Sequence, residues 1–181
     1  MTEPTSLRGR VLAIGLTGLI LLIGYSQLSA QDSHVLKPMS QSDSGLVFEI
    51  PTWGKTVIIT VPKGFAATFR EGPDFDVCYF RPTDQKRKAL LGVYFGMAPD
   101  THWPEDATKI SRQVNGRSAT WRSWRAIREG STTFYRETLV SDFFFDDKVT
   151  LVHIFISAAD EEEANQLADS VSSLKQKSAH Q

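Results

Sequence analysis

Apolar and polar residues alternate along most of the chain from Leu46 to Ser157, as in β-strands with one face against a core. In residues 56–61, for example, Val57, Ile59 and Val61 fall on one face. Proline, glycine and charged residues separate these segments and indicate turns. The pattern predicts strands at residues 46–50, 56–61, 65–69, 75–81, 89–97, 110–114, 117–126, 134–145 and 148–157.

Two of these strand pairs are predicted to be hairpins. Asn115-Gly116 supplies the two positive φ angles of a two-residue turn, and Asp146-Asp147 separates the second pair. Residues 89–97 are apolar on both faces. We therefore expect that strand to lie centrally, with a layer on each side.

Two helices are expected. Asp160, with Glu163 three residues later, predicts the start of a long C-terminal helix whose apolar stripe extends to Leu174. Pro104, followed by two acidic residues, predicts a short helix over residues 104–109. The predicted fold class is therefore α+β, a mainly antiparallel sheet with a long C-terminal helix and one short helix packed on it.

The N-terminus carries an export signal. Arg8 and Arg10 precede an apolar run over residues 11–23, and small and polar residues follow up to Ala30. This order is typical of a secretory signal peptide, and the run is shorter than the roughly 20 residues of a spanning helix. The alternative is an uncleaved anchor over residues 11–25. Both readings place residues 31–181 outside the cytoplasm, in the periplasm or the extracellular space.

The remainder is expected to be one domain over residues 46–175, after a flexible tether at 31–45 and before a disordered tail at 176–181. The net charge of −1 gives no electrostatic case for nucleic acid. Membrane contact is expected only through the N-terminal segment, if it stays uncleaved. Cys78 is the only cysteine, so no intramolecular disulfide can form, and its apolar setting predicts a buried, inert thiol.

Three segments resemble the PsbP-like families of exported α/β proteins: Val61-Pro-Lys-Gly-Phe65, the Asn115-Gly116 turn, and the final strand at 151–157 with its following helix. Together they cover about a quarter of the chain. The resemblance implies an α-β-α sandwich and a non-enzymatic binding or assembly role. It carries over no catalytic or cofactor residue.

One segment interleaves cationic and aromatic residues that could bind a small ligand or glycan. In a strand, however, these residues divide between two faces, which favours a structural role. The candidates are Arg117, Trp121, Arg122, Trp124 and Arg125.

A second candidate is His102, which lies among Asp100, Glu105 and Asp106 and could bind a metal or transfer protons. Because no second histidine is nearby, a loop leading into the short helix is the expected reading. His153 faces away from the core set of the last strand, and we expect it to be hydrogen-bonded under a second layer. No metal, cofactor or catalytic residue is predicted.

These observations favour an exported, non-catalytic module that binds or helps to assemble another component of the cell envelope. Its partner, a protein or a small ligand, is not identified by the sequence. One alternative is a small-ligand or glycan binder using Trp121 and Trp124. The other is an enzyme with a dispersed site at His102, Asp100 and His153. A deep pocket with converging polar groups would favour the enzyme, and a shallow aromatic and basic groove would favour the glycan binder.

Overall fold

Strands dominate the structure, a computed structural model that describes residues 33–141 and 150–177. These residues belong to one compact unit. In chain order the elements are β1 (Ser33–Leu36), β2 (Ser40–Ser42), β3 (Gly45–Thr52), β4 (Lys55–Val61), β5 (Phe65–Glu71), β6 (Phe75–Pro82), β7 (Ala89–Gly96), β8 (Thr108–Val114), β9 (Arg117–Arg128), β10 (Ser131–Ser141), β11 (Leu151–Ala158), α1 (Glu161–Ser170), a 3₁₀ turn (Val171–Ser173) and β12 (Lys175–Gln176).

The strands form two antiparallel sheets. The larger sheet has the order β1-β5-β6-β7-β11-β10-β9-β8, and the smaller has the order β12-β4-β3-β2. The last long strand, β11, is therefore inserted between β7 and β10. The larger sheet thus has an inner face, towards the smaller sheet, and an outer face.

The core lies between the inner face and a second layer made of the smaller sheet and α1. Phe48 of β3 meets Phe80 of β6 edge-on, with ring centroids 5.4 Å apart. Beside the smaller sheet, α1 buries Ala164, Leu167 and Ala168. Burial of such apolar side chains is the main force that holds the two layers together.

Two arginines of the larger sheet, Arg136 and Arg112, also hold α1 against the inner face through hydrogen bonds and ion pairs. The guanidinium of Arg136 on β10 donates to Glu161 Oε1 at 2.9 Å and to the carbonyl oxygen of Tyr135 at 2.9 Å. Arg112 on β8 donates to Asn165 Oδ1 at 2.9 Å and pairs with Asp169. These contacts fix the helix over β8 and β10.

The predicted α+β class is wrong. Strands take up 62% of the described residues and helices 10%, so the fold is mainly β. The C-terminal helix is short because only residues 161–170 are α-helical. Leu174 is buried but extended, since the chain must straighten to pair Lys175 and Gln176 with β4. With this one helix on the inner side, the described residues do not form an α-β-α sandwich.

The predicted short helix at 104–109 is also wrong. Residues 105–106 form a turn in which the Ala107 N–H donates to the Pro104 carbonyl at 3.1 Å. Thr108 already begins β8, whose pairing with β9 takes the residues that the helix would have used.

The predicted domain, residues 46–175, was too short at both ends. Within the proposed tether, β1 pairs with β5 and β2 pairs with β3. Within the proposed tail, Gln176 pairs with Val57, and the Lys177 N–H donates to the Thr56 carbonyl at 2.8 Å. Backbone pairing at a sheet edge needs no apolar side chain, so polar sequence concealed these strands. The predicted leader, the turn at Asp146-Asp147 and residues 178–181 lie outside the described residues.

Other expectations are confirmed. The turn between β8 and β9 has positive φ at Asn115 (50°) and Gly116 (70°). The Asp160 carboxylate caps α1 by accepting from the N–H groups of Glu162 at 2.6 Å and Glu163 at 3.1 Å. Strand β7 lies centrally. Among the described residues, no helix is long and apolar enough to cross a membrane.

Candidate ligand-binding site

The outer face of the larger sheet is crossed by one loop, residues 97–107, which we call the bridging loop. It connects β7 to β8, which lie four strand positions apart, with β11, β10 and β9 between them. At the usual spacing this distance is roughly 19 Å. A fully helical connection would reach only about 17 Å, so the loop is extended. It brings His102 and Trp103 over the middle of the sheet.

Glycine shapes the floor beneath this loop. Gly92 and Gly96 point to the outer face of β7, where a Cβ atom on either residue would overlap an aromatic ring. The ring of Phe155 lies over Gly92, and the ring of Tyr94 lies over Gly96. The missing side chains let both rings lie across the sheet, which leaves room above them.

A cavity of about 470 Å³, the Tyr94 cavity, occupies one side of the loop. Its walls are aromatic: Phe75 stacks on Tyr94 with centroids 5.7 Å apart, and Tyr79 meets Phe155 edge-on at 6.1 Å. Its polar lining comprises Arg70, Asp74, Asp100, His102, Glu137 and His153.

A second cavity of about 340 Å³, the Trp124 cavity, lies on the other side. Trp124 and Tyr135 form its wall, stacked nearly parallel with centroids 5.0 Å apart. His102, Glu137 and Phe155 line both cavities, so the two adjoin at the bridging loop.

A buried acid–imidazole pair lies where the cavities meet. His153 Nε2 is 3.3 Å from Glu137 Oε2, and the two side chains are only 5% and 8% exposed. Glu137 Oε2 also accepts from the His102 backbone N–H at 3.5 Å. Trp103 meets the His153 ring edge-on, and the Arg122 guanidinium lies over Trp103. The bridging loop thus shields the pair from solvent.

Three further side chains, His102, Asp100 and Tyr94, contribute to the electrostatics of the Tyr94 cavity. His102 Nε2 lies 3.3 Å from Asp100 Oδ2, but these side chains are 70% and 86% exposed, so their attraction is weak. Burial raises the pKa of Tyr94, opposed by a hydrogen bond with the Ala98 backbone and reinforced by the charge of Asp74. The Tyr94 phenol is therefore neutral at physiological pH.

The five predicted ligand-binding residues do not come together. Trp121 is fully buried on the inner face, so it cannot contact a ligand. Trp124 does line a cavity, and Arg122 supports Trp103. Arg117 and Arg125 are exposed and line neither cavity. The prediction that Trp121 and Trp124 lie on opposite faces of their strand is confirmed.

The histidine candidates do come together. His102, Asp100 and His153, which are dispersed in sequence, line one cavity. His153 is hydrogen-bonded on the outer face as expected, under a loop instead of a full layer. Glu105 and Asp106 are exposed and line neither cavity. Within residues 33–141 and 150–177, no group of three or more His, Cys, Asp and Glu side chains could hold a metal ion.

Sequence reasoning missed Glu137, Tyr94 and Phe155. Two signals pointed to them. Gly92 and Gly96 share one face of an otherwise apolar central strand. Glycine within a strand often marks a place where another group packs closely against the backbone. Glu137 shares a strand face with Tyr135 and Leu139, so it is an acid on a partly apolar face.

No family model, characterised protein or solved structure matches this chain significantly. The resemblance to PsbP-like domains therefore stays a prediction.

Proposed function

We propose that this protein is a non-catalytic binding module that holds a small ligand on the outer face of its larger sheet. The observation that carries the proposal is the pair of adjoining cavities, which share His102, Glu137 and Phe155. Among the described residues, the bridging loop covers part of this face, and no strand or helix covers it. Ligand sites are typically concave and mainly apolar, with a few polar groups that fix orientation.

The lining matches that description. Aromatic rings form the walls of both cavities, while polar groups converge from β10, β11 and the bridging loop. The buried Glu137–His153 pair is held by sheet strands, so its geometry is set before a ligand arrives. Such preorganisation lowers the entropic cost of binding. The N-terminal sequence supports action outside the cytoplasm.

Nuclear magnetic resonance of residues 31–181 tests the proposal. Glucose, phenol, benzoate and 2-phenylethylammonium are added separately at millimolar concentration, and backbone amide shifts are recorded. We expect at least one compound to shift the Gly92 and Gly96 amides and the Trp124 indole. The buried Trp121 indole, on the inner face, is the internal control. If every compound leaves the outer-face signals unchanged, the proposal is wrong.

The convergence of His102, Asp100, His153 and Glu137 favours a second candidate, acid–base catalysis of hydrolysis in the same cavity. Among the described residues that line the Tyr94 cavity, none offers a Ser or Thr hydroxyl or a Cys thiol as nucleophile. A catalytic site here would therefore use water, or an imidazole or carboxylate of the cavity, as the nucleophile. The high exposure of the His102–Asp100 pair makes binding the better supported function.

Hydrolysis of p-nitrophenyl acetate separates the two candidates. Catalysis requires a saturable rate that exceeds free imidazole and falls strongly in the His153→Gln variant. His34→Gln, on the edge strand β1 and outside both cavities, is the matched control. A rate equal to free imidazole, unchanged in both variants, excludes this candidate and leaves the binding proposal standing.

A further inference from the structure

We infer that the Tyr94 cavity takes an organic ammonium, a protonated amine carried on an aromatic or aliphatic body. This inference rests on the proposed binding function and names its ligand class. Two independent features of the cavity support it, the sign of its charge and the arrangement of its rings.

The charged groups of the cavity are mainly acidic. Asp74, Asp100 and Glu137 supply three carboxylates, against the guanidinium of Arg70. The other basic groups of the lining are the imidazoles of His102 and His153, which already pair with Asp100 and Glu137. Glu137 is the buried member, and it lies at the base of the bridging loop. A carboxylate in such a sheltered position interacts more strongly with a cation than an exposed one does. The cavity therefore disfavours anions.

The aromatic residues provide the second feature. The rings of Phe75 and Tyr94 are stacked, and the rings of Tyr79 and Phe155 meet edge-on. All four rings border the same cavity. Ring faces attract cations, and aromatic enclosures are a known mode of ammonium recognition. Arg81 already uses this attraction, since its guanidinium lies 4.9 Å from the centre of the Tyr79 ring.

The combination distinguishes an ammonium from other small ligands. A carboxylic acid would be repelled by the three carboxylates. A sugar would stack on the rings and donate hydroxyl hydrogen bonds to the carboxylates, but it brings no positive charge to neutralise them. The volume of about 470 Å³ accommodates a ligand with one ring and a short chain. We place the ammonium beside Glu137 and its cross-strand partner Phe155. The apolar body then lies between Tyr79 and Tyr94.

Calorimetric titration with three probes of similar shape tests the ligand class. The probes are 2-phenylethylammonium, 2-phenylethanol and 3-phenylpropionate, which share a phenyl group and differ in charge. We expect the ammonium to bind roughly tenfold more tightly than the alcohol, because it forms an ion pair with the Glu137 carboxylate, whereas the alcohol only donates a hydrogen bond to it. We expect the carboxylate to bind most weakly.

Variants locate the effect. Glu137→Gln should reduce the affinity for the ammonium by roughly tenfold and leave the alcohol nearly unchanged. Asp74→Asn/Asp100→Asn alters only exposed side chains, and should lower the ammonium affinity even if Glu137→Gln fails to fold. Glu105→Gln removes a charge on the same loop outside both cavities and should have little effect.

The outcomes separate the ligand class from the binding function. If the alcohol binds as tightly as the ammonium, or the carboxylate binds more tightly, the ammonium inference is wrong while the binding function stands. If none of the three probes binds, the inference is again wrong. The function is then decided by glucose, phenol and benzoate in the resonance experiment.

Discussion

The ring of Phe155 fills the space above Gly92, its direct partner across the β7–β11 pair. The ring takes the volume that a side chain at residue 92 would need. Because Phe155 lines both cavities, the absence of a side chain at residue 92 determines where the floor of both cavities lies.

Gly92→Ala is expected to destabilise the protein by about 1–3 kcal/mol, because the new methyl group overlaps the Phe155 ring and forces it to move. Urea denaturation measures the free energy of unfolding. The double variant Gly92→Ala/Phe155→Ala is the control, and there the alanine should cost much less than in the wild-type background. Additive costs would show that Phe155 does not occupy this space.

Leu167→Ala is expected to cost about 2–5 kcal/mol, because Leu167 is fully buried where α1 meets the core. Glu162→Ala, on the exposed side of the same helix, should cost about 0.5 kcal/mol through the helix dipole. Thermal unfolding of both variants measures the difference. Equal melting temperatures would contradict docking of α1 through its apolar stripe.

Asp76→Asn is expected to change how stability depends on pH. Burial, with the nearby charge of Glu71, raises the pKa of Asp76 above 3.8, although a hydrogen bond with the Trp53 backbone opposes the shift. Above pH 3.8 the unfolded chain releases this proton while the folded protein still holds it. The wild type therefore loses stability as the pH rises towards the folded pKa.

The variant lacks this titration. Its free energy of unfolding, minus that of the wild type, should increase from about pH 4 and level off once Asp76 is ionised in the folded protein. Urea denaturation at a series of pH values gives this difference. A difference that stays flat or declines with pH would contradict a raised pKa.

Cys78 is expected to be unreactive in the folded protein. Its side chain is fully buried, and that burial raises the pKa of the thiol, so almost no thiolate forms at pH 8. Ellman's reagent should label the native protein very slowly and the urea-unfolded protein completely. Because the chain has one cysteine, the signal reports this site alone. Rapid labelling without urea would show that β6 is accessible.

The strand pattern was readable where one face is buried. Val57, Ile59 and Val61 fall at alternate positions because one face of β4 packs on the core. Asn115-Gly116 marks the turn of the β8–β9 hairpin because few other residues accept two positive φ angles. The edge strands β1, β2 and β12 escaped prediction because they are short and mainly polar, and their pairing rests largely on backbone groups. The helix was predicted too long because buried Leu174 serves the same core in an extended conformation.

The site was less readable because it depends on strand order. An acid such as Glu137 within a strand normally indicates a solvent face. It is buried here because the bridging loop crosses that face, which follows from the separation of β7 and β8 in the sheet. Alternation within single strands carries no information about that separation. His102 and His153 were identified singly, and only the topology places them in one cavity.

The position of β11 has a consequence for the order in which the protein matures. Among the described strands, β11 alone joins β1-β5-β6-β7 to β10-β9-β8, yet it is the last long strand to leave the ribosome. Each earlier group can pair locally, but the two remain separate until β11 enters between them. His153 and Phe155 arrive with that strand, so the site cannot form before the sheet closes. A chain that ends before β11 would retain seven of the eight strands of the larger sheet but would lack Phe155, which lines both cavities.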